Sequence, residues 1–472
     1  MVDEILIPTI ETARLFARHG VKATIISTPL NTPFISEKIE KDRQLGADIG
    51  VRVIKFPSVE AGLPEGCENL NSITSPEMAI NFKIAHILLQ QPFEQLLQEC
   101  HPDCIIADMV FPWATEVASK LGIPRLIFYG TSFFALTAFD CIRSYEPHRK
   151  VTSDLEPFTI PGLPDHVKLT RLQLPNFIRE ADKNEIAKLL DQSHEAELKS
   201  YGVIINSFHE LEPAYTEHYR KVMGRKAWHI GPISLSNRYI EDKDQGANNT
   251  ASMDGQECLR WLDSKKPKSV LYVCFGSVFR FSAAQLLEIA RGLEASGQHF
   301  MWVQINNEDK EEWMPEEFEE RMQGKGFIKR GPAPQIQILE HEAVGGFLTH
   351  CEWNSILESI AAGVPMATWP LYGEQFFNEK LVTDVLRIGV GVGAQEWSRW
   401  IDEKKFIVKK DDIANAVTQL MVSEEAEKIR SKAKVLGQMA RRTVEDGGSS
   451  YSDLNSLLEN LRLHRPSAKH QN

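Results

Sequence analysis

No uninterrupted run of about 18 apolar residues occurs in these 472 residues, so a membrane-spanning helix is not expected. The opening stretch, MVDEILIPTIETARLF, has neither a basic leader region nor an apolar core of about 7 to 15 residues, and nothing there reads as a secretory signal. Cysteine is sparse: Cys67, Cys100, Cys104, Cys141, Cys258, Cys274 and Cys351 are odd in number and never spaced CxxC. That pattern excludes a disulfide framework and reads as reduced thiols in a cytoplasmic protein. Long basic runs are missing too. With 53 Lys+Arg against 65 Asp+Glu, the net charge of −12 has the wrong sign for neutralising phosphates along a polymer, so nucleic acid is not an expected partner. Gly (29) and Pro (24) stand near average usage, which excludes collagenous and low-complexity chains. The single sequon, Asn248-Asn249-Thr250, marks no more than an exposed loop.

The length suits two or three domains, each with its own core. Short β-branched runs alternate with helical patterns: VKATIIST (21–28), CIIADM (104–109), a helix near 113–121, then PRLIFYG (124–130). The segment after residue 236, SNRYIEDKDQGANNTASMDG, is polar and apolar-poor, the composition of a linker. The rhythm then restarts with SVLYVCFGS (269–277), a helix from Ser282 to Ser296 opened by the capping box Ser282-Ala283-Ala284-Gln285, HFMWVQ, GFIK, GGFLT and PMATWP. Helices near 411–422 and 424–442 follow. The expected architecture is α/β, with two domains of parallel sheet facing a cleft.

Chemically the richest stretch is GGFLTHCEWNSILE (345–358). A strand ends at Thr349, a polar turn carries His350 to Asn354, and a helix is expected from about Ser355, capped by Asn354 or Ser355. Its N-terminal amides would face the cleft and stabilise an anion, most naturally a phosphate. A plain strand-to-helix loop would look the same. Cys274-Phe275-Gly276-Ser277 presents a glycine and a hydroxyl at a second strand end. Other motifs do not hold. His341-Glu342 has Gly345 where HExxH needs its second His, and Gly389-Val390-Gly391-Val392-Gly393 is GxGxG late in its domain, so neither a metal nor a dinucleotide site is expected. Met301-Trp302-Val303 and Phe376-Phe377 read as core, and Lys265-Lys266-Pro267-Lys268 as a solvated turn.

The segment from Arg330 to Gln375 resembles the signature box of plant family-1, UDP-sugar-dependent glycosyltransferases. The resemblance rests on Ala333-Pro334-Gln335, Leu339, His341, Gly345, Phe347, Thr349-His350-Cys351, Trp353-Asn354-Ser355, Leu357-Glu358, Gly363-Val364-Pro365, Trp369-Pro370 and Glu374-Gln375. It extends to ARLFARHGVKATIISTPLN, IIADMVFPWAT, IPRLIFYGTSFFAL, SYGVIINSFHELE and EDGGSSYSDLNSLLE, which are similar to the subgroup that glucosylates flavonoids, coumarins and triterpenes. It implies the GT-B fold, two Rossmann-like domains with parallel sheets facing a cleft. Residues 1–236 would form the acceptor-binding domain, 237–256 a linker, 257–448 the donor-binding domain, and 449–472 a helix returning to the first domain, with a tail.

The resemblance also implies an inverting O-glucosyltransferase that needs no cofactor or metal and uses UDP-glucose as co-substrate. Its partners would be that donor and a small hydrophobic acceptor bearing a hydroxyl, on a monomer. Gln335 and Ala333 would meet the uracil edge, and Glu358 the ribose hydroxyls. Ser277, His350, Asn354 and Ser355 would hold the diphosphate. Glu374 and Gln375 would bind sugar hydroxyls, with the Trp353 backbone nearby. Gln at position 375 resembles glucose users. The acceptor pocket would be set by 60–90, 131–150 and 175–200, which do not name the acceptor. A glycoside hydrolase built on paired carboxylates is disfavoured, because the cleft acids fall on donor-binding positions.

Three positions depart from the family pattern. Glu4-Ile5 stand where a Gly-His would supply the general base, and His19, roughly 20 Å along the following helix, cannot replace it. Asp108 matches the residue that orients that His and is the remaining base, with an ordinary pKa near 3.9. Pro332 replaces a uracil-stacking Trp, an interaction worth about 1–3 kcal/mol. Glu352 replaces Gly inside the phosphate turn, where repulsion from a phosphate at roughly 5 Å would cost about 3 kcal/mol and the turn's backbone would resist a side chain. Weak donor binding and slow turnover are expected, from either a chain start missing its first strand or a catalytically impaired relative that binds a hydrophobic metabolite or partner.

Overall fold

The computed structural model describes residues 6–179, 185–238, 253–277, 279–305, 313–398 and 406–464. Glu4 and Ile5, the Asn248 sequon and most of the 237–256 linker lie outside those residues. The strands in chain order are β1 (Ala23–Ser27), β2 (Ile49–Val53), β3 (Ile105–Asp108), β4 (Arg125–Tyr129), β5 (Phe158–Thr159), β6 (Lys168–Leu169), β7 (Gly202–Ile205) and β8 (Ala227–His229). They continue with β9 (Val270–Cys274), β10 (His299–Gln304), β11 (Gly326–Arg330), β12 (Val344–Thr349), β13 (Met366–Thr368) and β14 (Gly389–Gly391).

Six of these form one parallel sheet in the order β11-β10-β9-β12-β13-β14. Every residue of β9 and β12 is buried, as continuous apolar runs require when helices cover both faces of a parallel sheet. From β9 the chain winds outward through β10 to β11, then crosses back to β12 on the other side of β9. That reversal creates a switch point between the carboxyl ends of β9 and β12, where open α/β sheets bind ligands.

In the N-terminal half the parallel order is β3-β4-β7-β8, with β1 and β2 forming a separate parallel pair. Ile26 of β1 packs on the cluster that holds Ile105 of β3, so the two pieces lie side by side, with no shared ladder among the described residues. The helix Ile7–Arg18 starts on Pro8, a residue suited to a first turn, and buries Ile10, Leu15, Phe16 and Ala17. Arg14 Nε and Arg18 Nε donate to the buried Asp42 carboxylate at 2.6 Å each, fixing that helix to Thr32–Gln44. The last helix, Ser449–His464, places Leu454, Leu457 and Leu458 in one cluster with Leu15, Phe16, Leu126 and Ile204 of the N-terminal half.

Local details differ from expectation at two helix starts. Ser282 Oγ caps Ala283–Ser296 by accepting from the Gln285 amide at 3.3 Å, but the box is only half closed. The Gln285 side chain instead brackets the backbone of Val408, donating to its carbonyl and accepting from its amide at 2.9 Å each. The helix expected from Ser355 spans Trp353–Ala362, and its cap is Glu352 rather than Asn354 or Ser355. Trp302, Phe376 and Phe377 are core, as their apolar surroundings suggested.

Candidate functional site

A cleft of about 500 Å³ opens over the switch point. Gly276 and Ser277 line it just beyond β9, and His350 lines it just beyond β12. Gly276 has φ +73°, and a Cβ there would stand 2.7 Å from His350 Nε2. Glycine is therefore required for the two strand ends to approach. Burial holds the His350 pKa down near 3, so the ring is neutral, and its buried Nδ1 has no partner.

Between His350 and the helix Trp353–Ala362, Cys351 carries the backbone strain, at φ +67°. Glu352 does not: φ −64° and ψ 141° are ordinary extended values, which corrects the expectation that a side chain would not fit there. The reason is that the turn reverses one residue earlier than the motif suggests. The Glu352 carboxylate folds back over the helix start. Its Oε1 accepts from the Asn354 amide at 3.0 Å and from Asn354 Nδ2 at 2.8 Å, and its Oε2 accepts from the Ser355 amide at 3.1 Å.

A second polar network forms the cleft wall. Gln335 Nε2 donates to Glu358 Oε2 at 2.8 Å and to Ser355 Oγ at 3.2 Å, while Tyr272 O–H donates to Gln335 Oε1 at 3.2 Å. Tyr272 is itself held by stacking on Phe347, ring centroids 4.9 Å apart. Burial raises the Glu358 pKa to about 7, against the opposing effects of the Gln335 hydrogen bond and the Arg238 charge. Ala333 and Pro332 complete this side.

Seven of the expected site residues thus converge on one cleft: Ser277, Ala333, Gln335, His350, Asn354, Ser355 and Glu358. Trp353 is fully buried and donates its indole N–H to the Asn206 carbonyl at 2.7 Å, bridging the two halves. Glu374 heads the helix Gln375–Lys380 and accepts from Asn378 Nδ2 at 3.2 Å. Gln375 Oε1 accepts from the Leu371 and Tyr372 amides at 2.9 and 3.1 Å, holding the 371–372 turn. Neither Glu374 nor Gln375 lines the described cleft, and Asp108 does not either.

Asp108 ends β3 and accepts from the Val110 amide at 3.0 Å. Burial raises its pKa to about 6, with that hydrogen bond and Arg125 opposing, so it is a stronger base than the ordinary value assumed for it. The N-terminal half adds residues that the motifs did not single out. Asn206 follows the buried strand β7 much as Ser277 follows β9, and a scan for polar residues at strand ends would have found it. Its Nδ2 donates to Asn354 Oδ1 at 3.2 Å. Phe34 and Lys38, one turn apart on Thr32–Gln44, also line the cleft. Among the described residues no group of three or more His, Cys, Asp or Glu could hold a metal ion, and no helix is long and apolar enough to cross a membrane.

Residues 64–428 match the family described as UDP-glucoronosyl and UDP-glucosyl transferase. The chain is 53% identical over 459 residues to the scopoletin glucosyltransferase of Nicotiana tabacum, covering 97% of this chain and 96% of that one. It is 54% identical over 462 residues to UDP-glucose flavonoid 3-O-glucosyltransferase 7 of Fragaria ananassa, covering 96% and 93%. Among solved structures it is similar to Glycyrrhiza uralensis UGT73P12 complexed with glycyrrhetinic acid 3-O-monoglucuronide, with TM-score 0.89, 42% identity, and 98% and 94% of the two chains covered.

Proposed function

The chain belongs to the UDP-glucoronosyl and UDP-glucosyl transferase family, and from that premise we propose that it transfers glucose from UDP-glucose to a hydroxyl of a small apolar plant metabolite, with inversion. The observation that carries this reading is the convergence, over one switch point, of two strand ends, a helix N-terminus and the Gln335–Glu358–Ser355 network. Gln335 and Ala333 meet the uracil edge. Glu358 accepts from the ribose hydroxyls. Ser277, neutral His350, Asn354 and Ser355 surround the diphosphate, and amides directed at developing negative charge stabilise the departing UDP. Glu374, Gln375 and the Trp353 backbone take the sugar hydroxyls. No cofactor is required, and the protein works as a cytoplasmic monomer.

In the chemical step the acceptor oxygen bonds the anomeric carbon as the bond from that carbon to the UDP oxygen breaks. Asp108, raised to about 6, takes the hydroxyl proton. A second reading, binding without turnover, draws support from Glu352, whose carboxylate sits on the amides the diphosphate needs. Incubating the chain with UDP-glucose and a hydroxycoumarin and measuring the mass of the product separates the two. A hexose adduct with equimolar UDP supports transfer, and Asp108→Asn should then lower kcat by about 10²- to 10⁴-fold with little change in donor KM. Absence of any hexose adduct, with the coumarin recovered unchanged, would leave only the second reading.

A further inference from the structure

Glutamate is not among the residues favoured at helix N-caps, where the short side chains of Ser, Thr, Asp and Asn reach the free amides directly. Glu352 nevertheless caps Trp353–Ala362, and its longer side chain lets one carboxylate gather three donors: the Asn354 amide, the Asn354 side-chain amide and the Ser355 amide. Its backbone is unstrained, so nothing in the turn forces the carboxylate into that position. The helix dipole favours negative charge there, and the residue supplies it.

The three donors belong to Asn354 and Ser355, the residues that form the diphosphate subsite if the proposed function is right, and the inference rests on that reading. We infer that Glu352 is a built-in occupant of the diphosphate subsite: its carboxylate holds the helix-terminal amides in the free protein and must be displaced before the donor's diphosphate can bind. Occupancy differs from simple repulsion between charges. Repulsion is relieved equally by any neutral residue at 352. Occupancy is relieved fully by glycine and only in part by glutamine, whose amide oxygen still accepts from the same N–H groups. Occupancy also predicts that the free protein loses helix-capping stability when Glu352 is removed, whereas repulsion from an absent ligand predicts no such loss.

Titration calorimetry of the full chain with uridine and with UDP tests this, using the wild type, Glu352→Gly and Glu352→Gln. Uridine, which has no phosphate, should bind all three alike. UDP should bind Glu352→Gly on the order of tenfold more tightly than the wild type, with Glu352→Gln between them. In thermal melts, free Glu352→Gly should unfold at a lower temperature than the wild type, and saturating UDP should raise its Tm by more. Equal UDP affinity in all three proteins, alongside normal uridine binding, would overturn the occupancy and leave the donor cleft intact. Equal gains in the Gly and Gln variants would also overturn it, in favour of repulsion. Failure of all three to bind uridine or UDP would sink the donor cleft and this inference together. If Glu352→Gly does not fold, Glu352→Ala, whose side chain has no oxygen to accept from those N–H groups, takes its place in the comparison with Glu352→Gln and the wild type.

Discussion

In the C-terminal half six parallel strands run unbroken from β11 to β14, whereas in the N-terminal half β1–β2 and β3–β4–β7–β8 share no ladder among the described residues. The burial of the strands follows that difference. All of β9 and β12 is buried, while β1 and β3, the strands that flank the break, each bury only one residue. The proposed donor groups stand on the continuous sheet, whose strand ends are fixed from both sides, and such placement holds a binding constellation in register. Asp108 stands at the end of β3, beside the break. The proposed donor groups and the proposed base therefore rest on scaffolds of unequal rigidity, and rate should suffer before affinity when the protein is stressed.

The largest effect that could break this contrast comes from paired core truncations. Phe347 of β12 is fully buried under Tyr272, and Phe347→Ala should cost about 3–5 kcal/mol. Ile25 is the buried residue of β1, and Ile25→Ala should fall near the lower end of about 2–5 kcal/mol, because a strand with one partner can relax into the space left. Urea denaturation followed by tryptophan fluorescence would compare them. Equal costs would mean that the break in the sheet has no mechanical consequence.

A smaller effect is expected at the join between the halves. The Trp353 indole N–H donates to the Asn206 carbonyl at 2.7 Å, and Asn206 Oδ1 accepts from the Ile233 amide at 3.0 Å. Trp353→Phe keeps most of the ring and removes the donor, so about 1–2 kcal/mol should be lost as a buried carbonyl goes unsatisfied. If the halves are held mainly by this contact, the same variant should also weaken UDP binding, since it heads the helix that carries Asn354 and Ser355. A change in stability with no change in UDP affinity would show the donor side to be self-supporting.

The continuous sheet was the more legible in the sequence. VLYVC, HFMWVQ and VGGFLT are near-continuous apolar runs, and a parallel strand covered on both faces has no other pattern. Six of the seven cleft residues could be placed from one motif, and Ser277 from a second strand end, because a strand end, a turn and a helix start are local in sequence. What could not be read was long-range. Gln285 finds the Val408 backbone, Asn206 finds Trp353, and Lys38 reaches the cleft from a helix far upstream. Charge was misjudged for a related reason. The pKa of Asp108 depends on how deeply the fold buries it, and the role of Glu352 depends on where its carboxylate turns, neither of which is written in the neighbouring residues.

The subtlest test concerns a proton on the rigid side. Burial raises Glu358 from 4.5 to about 7, so between those pH values the folded chain keeps a proton that the unfolded chain has released. Its contribution to stability is therefore fully present below about pH 4.5 and is lost as pH rises through about 7. Glu212 and Glu379, also raised to about 7 by burial, act in the same direction, and the Tm should fall between pH 5 and pH 8. Ribose hydroxyls donating to Glu358 would favour its ionised form, so binding of uridine, which carries no titrating phosphate, should release up to about half a proton near pH 7. Neutral His350, held near 3, does not titrate in this range and cannot mask the release. Calorimetry in buffers of different ionisation enthalpy reads that proton directly. The apparent binding enthalpy should vary with the buffer for the wild type and stop varying for Glu358→Gln. Release that persists in Glu358→Gln would assign the proton to another group and remove Glu358 from the ribose.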